Sequence, residues 1–234
     1  MLVVFDHAIN EALNIRTFYF KSAKPVRCSA GQFIELTVPH NNPDERGVKR
    51  WFTLSSSPSQ ELLSITTKFT PEHGSTFKKA LLALSAGAEL HMSDAMGDFV
   101  LPKQEQTPLI FVAGGIGITP FHSMLQWQID KDEQRPIKFI YAVHTEGEIV
   151  FLDTFHKAKQ HVTIVVAKPS SAWGGERGRV DAKMILGLEK PTDNSLIYLS
   201  GPEPMIESLA KELAATGLRK NQLVTDSFPG YSEL

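Results

Sequence analysis

The chain divides by the period of its apolar positions. Over residues 1–102, apolar and polar residues alternate in short runs: 15–21 (IRTFYFK), 31–38 (GQFIELTV), 51–54 (WFTL), 62–68 (LLSITTK) and 88–92 (AELHM). A period of two sends successive side chains to opposite faces of a strand. Several such runs at this spacing predict a small antiparallel barrel or sandwich. One helix interrupts them over 75–84, where Phe77, Leu81 and Leu84 share a face. From residue 103 the pattern changes. A continuous apolar run at 108–113 (PLIFVA) and further buried-type strands at 137–143 (IKFIYAV), 162–167 (VTIVVA) and 196–200 (LIYLS) alternate with helical segments at 121–130, 149–158 and 205–216. Leu223 and Val224 lead into the tail. Such alternation predicts a parallel sheet covered by helices on both faces. The expected architecture is therefore two-domain: an N-terminal antiparallel β-barrel over 1–102 and a C-terminal α/β Rossmann-like parallel-sheet domain over 103–234. The polar stretch 103–107 joins them.

Composition narrows the partners. A formal net charge of −2 gives no attraction to nucleic acid or an anionic membrane. No run reaches the ~20 apolar residues that span a bilayer. The opening MLVVFDH has no basic n-region, so a signal peptide is not expected and a cytoplasmic location is. Cys28 is the single cysteine; it reads as a packed small hydrophobe. An intrachain disulfide or a cluster held by four thiolates of this chain is excluded, so any iron-sulfur partner would be another polypeptide. His40, His73, His91, His122, His156 and His161 show no metal-ligand spacing, and no metal is expected.

The first chemical signal is Gly114-Gly115-Ile116-Gly117-Ile118-Thr119-Pro120, which follows an apolar strand and opens a helix. Glycine allows close backbone approach to a pyrophosphate, and free N–H groups at the helix start stabilise the anion. Pro120 falls in the first turn, where its missing N–H costs nothing, and Thr119 offers a hydroxyl. A tight strand-to-helix connection would look the same. A second turn, Ser200-Gly201-Pro202-Glu203-Pro204-Met205, also follows a predicted parallel strand. Ligands of open α/β sheets bind beyond the carboxyl ends of the strands, so both turns are expected to face one crevice. In the first half, Arg50-Trp51-Phe52-Thr53 sets a cation, a ring and a hydroxyl on one strand, with Arg50 and Phe52 on one side and Thr53 on the other. Gly74-Ser75-Thr76 opens the helix there, with Ser75 or Thr76 as a simple cap in the plainer reading.

In this order the motifs resemble the ferredoxin-NADP reductase superfamily, of flavin reductase and oxygenase-reductase type, over essentially the whole chain. The family's Arg-x-Tyr-Ser/Thr motif matches Arg50, Phe52 and Thr53, continued by Ser55-Ser56-Ser57-Pro58. The resemblance implies Arg50 on the pyrophosphate of FAD, Phe52 stacked on the isoalloxazine and Thr53 bonded near flavin N5. Gly74, Ser75 and Thr76 would hold the pyrophosphate, and Thr67 and Lys68 are counted with the flavin-binding residues. Gly97-Asp98-Phe99 is similar to the segment that ends the family's barrel. Gly115, Gly117, Thr119 and Pro120, with Gly201, Pro202 and Met205, would bind the nicotinamide dinucleotide. Trp173 to Arg179 is similar to the family's W-x-G-x-x-G-R segment. The tail Asp226-Ser227-Phe228-Pro229-Gly230-Tyr231 resembles its acidic-x-Phe-x-Gly-Tyr ending, with Phe228 and Tyr231 at the flavin and Tyr231 a displaceable lid.

Three positions depart from the pattern. Phe52 replaces a tyrosine, Met96 a proline, and Ser200 the cysteine that lies near the nicotinamide in relatives, so slower hydride transfer is expected. The implied activity is transfer of hydride from NADPH or NADH to bound FAD, then of electrons to a separate acceptor protein: ferredoxin, flavodoxin or an oxygenase component. The residues expected to act in catalysis are Thr53, Ser200, Asp226 and Tyr231, with Asp226 handling a proton. His144 and Lys168, beyond the second and third parallel strands, tilt the choice toward NADPH, with Lys168 as the point charge for a 2′-phosphate. Arg46, Lys49, Lys78 and Lys79 are candidates for a basic docking patch. Two other readings stay open: a reductase of free flavin, and a non-catalytic flavin-binding docking subunit, which Ser200 keeps alive.

Overall fold

The computed structural model describes residues 1–70 and 74–228. The first lobe contains β1 (Leu2–Ala12), β2 (Ile15–Ser22), β3 (Phe33–Thr37), β4 (Lys49–Thr53), β5 (Leu63–Lys68), the helix α1 (Thr76–Leu82) and β6 (Glu89–Met92). They form an antiparallel sheet in the order β4-β3-β6-β1-β2-β5. Its two edges meet: Leu54 bridges Ile65, and the Ser55 N–H donates to the Ser64 carbonyl at 2.8 Å. The expected barrel is closed by this seam. Phe18, Phe20, Ile34, Leu36 and Ile65 fill its interior with Phe77 and Leu81 of α1.

The longest strand, β1, was not assigned from the pattern. Its pairing with β2 shifts register between Phe5 and His7 and again between Asn10 and Ala12. Each irregularity breaks the alternation that marks a strand.

The second lobe contains β7 (Leu109–Gly114), α2 (Thr119–Lys131), β8 (Ile137–Val143), α3 (Leu152–Lys157), β9 (Val162–Val166), β10 (Glu176–Arg177), α4 (Ala182–Leu188), β11 (Leu196–Pro202), α5 (Glu203–Ala215) and β12 (Leu223–Phe228). All pairings are parallel, in the order β10-β9-β8-β7-β11-β12. Alternate residues of the buried strands serve opposite faces. Leu109, Phe111 and Ala113 pack with Phe121, Phe139 and Phe155, while Ile110 and Val112 pack with Ile185, Ile206 and Leu209. The helix expected over 149–158 begins later, at Leu152, because Phe151 adopts a left-handed backbone (φ 65°) that no helix accommodates. The helix α4 was also not assigned; its start is fixed by Asp181, whose side chain accepts the Met184 N–H at 2.7 Å, an N-cap that satisfies a free helix donor.

The lobes join through packing and polar contacts. Phe99 wedges against Phe121 and Tyr198 at ring-centre distances of 5.6 and 5.1 Å, and the Tyr198 hydroxyl donates to the Val100 carbonyl at 2.7 Å. No helix among the described residues is long and apolar enough to cross a membrane.

Candidate active site

The parallel sheet reverses its order between β7 and β11, the switch point at which a crevice opens beyond the strands. The two glycine turns expected to share it interlock there. A Cβ added to Gly117 would lie 2.5 Å from the Ser200 carbonyl carbon and 2.6 Å from the Gly201 nitrogen, and one on Gly201 would lie 3.1 Å from the Gly114 Cα. Only glycine lets these backbones touch. Gly115 differs: its φ is +52° and a Cβ there would meet nothing within 4 Å, so it borders open space. Pro120 lies in the first turn of α2. The Thr119 hydroxyl is buried and donates to the Ile116 carbonyl at 3.1 Å, stiffening the turn from inside. Pro202 caps α5, and the Pro202 ring and the Met205 side chain pack over Gly114.

Ser200 and Asp226 face each other in the register of β11 and β12. Ser200 is fully buried, and its hydroxyl donates to Asp226 Oδ2 at 3.5 Å, a long bond. Burial pushes the Asp226 carboxyl up to about 6, opposed by the Ser200 hydrogen bond. A carboxyl near neutrality is poised to hold and release a proton. Phe228 pairs with Pro202 at the end of the same two strands. Tyr231, the expected lid, lies outside the described residues.

The barrel end brings its own set. Arg50 and Phe52 face α1 together: the guanidinium sits 5.1 Å from the Phe77 ring centre and Phe52 lies 5.8 Å from it. Thr53 is buried at the strand end, as alternation required. Ser75 is the N-cap of α1 and accepts the Lys78 N–H, Gly74 precedes it, and Thr76 bonds to Asp44 and His40. Lys68 forms a 2.8 Å ion pair with the largely buried Glu148, tying the barrel to the connection after β8. Beside it, the buried Thr67 hydroxyl has no partner among the described residues, nor do Glu148 Oε2 and His144 Nδ1. Buried polar atoms left unpaired by protein need another partner. An unpaired hydroxyl on the barrel side and an open glycine turn on the parallel-sheet side suit a two-part polar ligand between the lobes.

Lys168 is exposed beyond β9, and its N–H donates to the His144 carbonyl at 2.8 Å. Glu146, in the connection after β8, accepts the Ser170 N–H at 2.7 Å. Of the basic candidates, Lys49 pairs with Glu35 on the face of β4 away from Arg50, while Lys78 and Lys79 lie on α1.

Sequence reasoning missed the polar joint beneath the site. His122 Nδ1 donates to the Ser55 carbonyl at 2.7 Å and the Ser123 hydroxyl to the Ser56 carbonyl at 2.7 Å. The His122 ring stacks on Phe151 at 3.8 Å, which gives the strained backbone of Phe151 a role. Burial lowers the imidazole to about 4, against the opposing effect of the Ser55 bond. The spacing of the histidines excluded a metal at His122 but gave no sign of this contact, which forms only where α2 meets the Ser55–Ser56 segment of the barrel lobe. A cavity of about 430 Å³ opens beside this joint, lined by Glu11, Tyr19, Glu61 and Phe151 among others; none of the expected cofactor residues lines it.

The model of the oxidoreductase NAD-binding domain matches residues 111–211. The chain is 27% identical to the glycine betaine monooxygenase reductase subunit of Chromohalobacter salexigens, over 94% of this chain and 62% of that protein. Among solved structures, the flavohem-like FAD/NAD-binding domain of nitric oxide dioxygenase from Vibrio cholerae superposes with a TM-score of 0.81 at 19% identity, covering 97% of this chain and 98% of that one. A ferredoxin NADP+ reductase from Neisseria gonorrhoeae, with bound FAD and NADP, gives 0.80 at 16% identity, covering 97% and 98%. Residues 111–211 thus match an oxidoreductase NAD-binding domain, and the chain as a whole is similar to reductases with the ferredoxin-NADP reductase fold. An antiparallel barrel followed by a parallel sheet is the two-lobe fold it shares with both structures, and the NAD-binding match lies in the parallel-sheet lobe. The chain spans about three fifths of the curated relative it matches, at 62% of its length.

Proposed function

We propose that this chain is an FAD-dependent NAD(P)H oxidoreductase that takes hydride from a reduced nicotinamide and passes electrons to a separate acceptor protein. The observation that carries this reading is the interlock of the Gly115–Gly117 turn with Ser200–Gly201 at the switch point, beside the barrel end with Thr67 unpaired. When bound, the flavin supplies the two-electron to one-electron chemistry that amino acids lack. The protein's part is position, polarity and exclusion of water. Arg50 and the Gly74–Thr76 turn would take the diphosphate, Phe52 the ring face, and Thr53 and Thr67 polar edges. Asp226, with Ser200 beside it, would hold a proton at the crevice. The relative named as a monooxygenase reductase subunit supports an oxygenase component as the acceptor's class, above ferredoxin or flavodoxin.

The purified protein is expected to be yellow or to take up added FAD. Anaerobic NADH is then expected to bleach the flavin band at about 450 nm. A colourless protein with no affinity for FAD or FMN refutes the reading. Flavin binding without bleaching by either nucleotide would favour the docking-subunit reading instead.

On the nucleotide, Glu146 argues for NADH, against the tilt given by His144 and Lys168. It stands beyond the strand next to the central one, where Rossmann sheets read the ribose, and a carboxylate there suits a 2′-hydroxyl and repels a 2′-phosphate. The Ser170 hydrogen bonds hold its carboxyl below the usual range, so it is charged at neutral pH. kcat/KM is expected to favour NADH, and Glu146→Gln to raise the NADPH-to-NADH ratio roughly tenfold. A wild-type preference for NADPH would overturn this.

A further inference from the structure

Arg50, the cation on which the flavin reading depends, is already engaged by the chain itself. Its Nη2 donates to Asp44 Oδ1 at 2.8 Å, and its Nη1 to the carbonyls of Arg46, Gly47 and Lys49 at 2.7, 3.0 and 2.6 Å. The same carboxylate accepts the Thr76 N–H at 3.2 Å and the Arg46 N–H at 3.1 Å, while the Asp44 N–H donates to the Thr76 hydroxyl at 2.9 Å. Asp44 thus collects a guanidinium and backbone amides, the donor types that a phosphate oxygen recruits. The pair is largely withdrawn from water, with side-chain exposures of 17% for Arg50 and 25% for Asp44. The segment that carries Asp44, residues 39–48, contains two left-handed residues, Asn42 (φ 52°) and Gly47 (φ 67°), and a Cβ on Gly47 would meet nothing within 4 Å. Its movement would not require any strand to unpair.

We propose that Asp44 is an internal competitor for the flavin's phosphate groups, and that by neutralising Arg50 it sets flavin affinity and keeps the flavin exchangeable. This rests on the reading that Arg50 meets the flavin diphosphate. A phosphate-bearing flavin must displace the carboxylate, whereas riboflavin, which has no phosphate, meets no such competition. Asp44 therefore weakens FAD selectively, and it gives the free-flavin alternative a structural basis.

The test is equilibrium binding of FAD and of riboflavin to flavin-stripped protein, followed by quenching of flavin fluorescence. Asp44→Asn and Asp44→Ala are expected to bind FAD roughly 10- to 100-fold more tightly than wild type, the span of one charge-assisted bond. Riboflavin affinity is expected to stay within about twofold, which also shows that each variant is folded. Unchanged or weaker FAD binding in both variants would overturn the proposal and make Asp44 a residue that positions Arg50. Arg50→Ala separates the failures. If it weakens FAD while the Asp44 variants do not tighten it, only the competition is refuted. If it leaves FAD affinity intact, the diphosphate reading and the competition fall together.

Discussion

Gly117→Ala is expected to cost on the order of 2–4 kcal/mol of stability and to abolish dinucleotide binding. The added methyl would enter the space of the Ser200 carbonyl and the Gly201 nitrogen. Both are backbone atoms in a strand paired on its two sides, so neither can rotate away. Gly115→Ala, two residues earlier, is the control. There the methyl meets nothing within 4 Å, and only the left-handed backbone (φ +52°) penalises it, at about 1–2 kcal/mol. It would, however, stand in the cradle where a pyrophosphate must approach, weakening dinucleotide binding roughly tenfold. Thermal melts and nucleotide titrations of the two variants separate these effects. A Gly117→Ala protein that melts like wild type would mean that the two turns do not touch as described.

The second large effect is a pair of opposed titrations, read on flavin-free protein. His122 is held to about 4 by burial, below its unfolded value near 6.5. Between those values the unfolded chain binds the extra proton, so stability is lost as pH falls through this window. Asp226 is pushed up to about 6, above its unfolded value near 3.9. Here the folded chain binds the extra proton, so the contribution present at low pH is lost as pH rises through 6. Each is worth about 3 kcal/mol at most, and they cancel in part between pH 4 and 6. Asp226→Asn is therefore expected to be more stable than wild type at pH 8, with the difference gone near pH 4. His122→Gln is expected to remove the acid loss and leave a decline toward neutral pH. The remaining carboxylates, Asp44, Asp130 and Glu146 among them, are shared by all variants and drop out of the differences. Parallel stability profiles for wild type and Asp226→Asn would refute the burial assigned to that carboxyl.

Much of the dinucleotide side was legible in the chain because its signals are local. The run 137–143 is the strand β8 to the residue: a buried parallel strand is apolar at nearly every position, here all but Lys138, and needs no partner to be recognised. The 114–120 turn was readable because glycine and proline impose backbone conformations of their own. The barrel side was less legible. β1 hid behind two register shifts, and although alternation placed Arg50 and Phe52 on one side and Ser75 or Thr76 was read as the cap of α1, that this side faces Phe77 came only with the packing.

What the sequence by itself determined is the order of most elements, with β1 and α4 missed, the two periodicities and the sites of the glycine turns, since each depends on steric limits within a few residues. Tertiary structure alone decided that Ser200 meets Asp226 across 26 positions and His122 meets Ser55 across 67, and that Asp44 occupies Arg50. Those outcomes depend on strand register, on how deeply a group is buried and on which charges share a low-dielectric space. Such quantities are properties of the packed chain, and no short stretch of residues contains them.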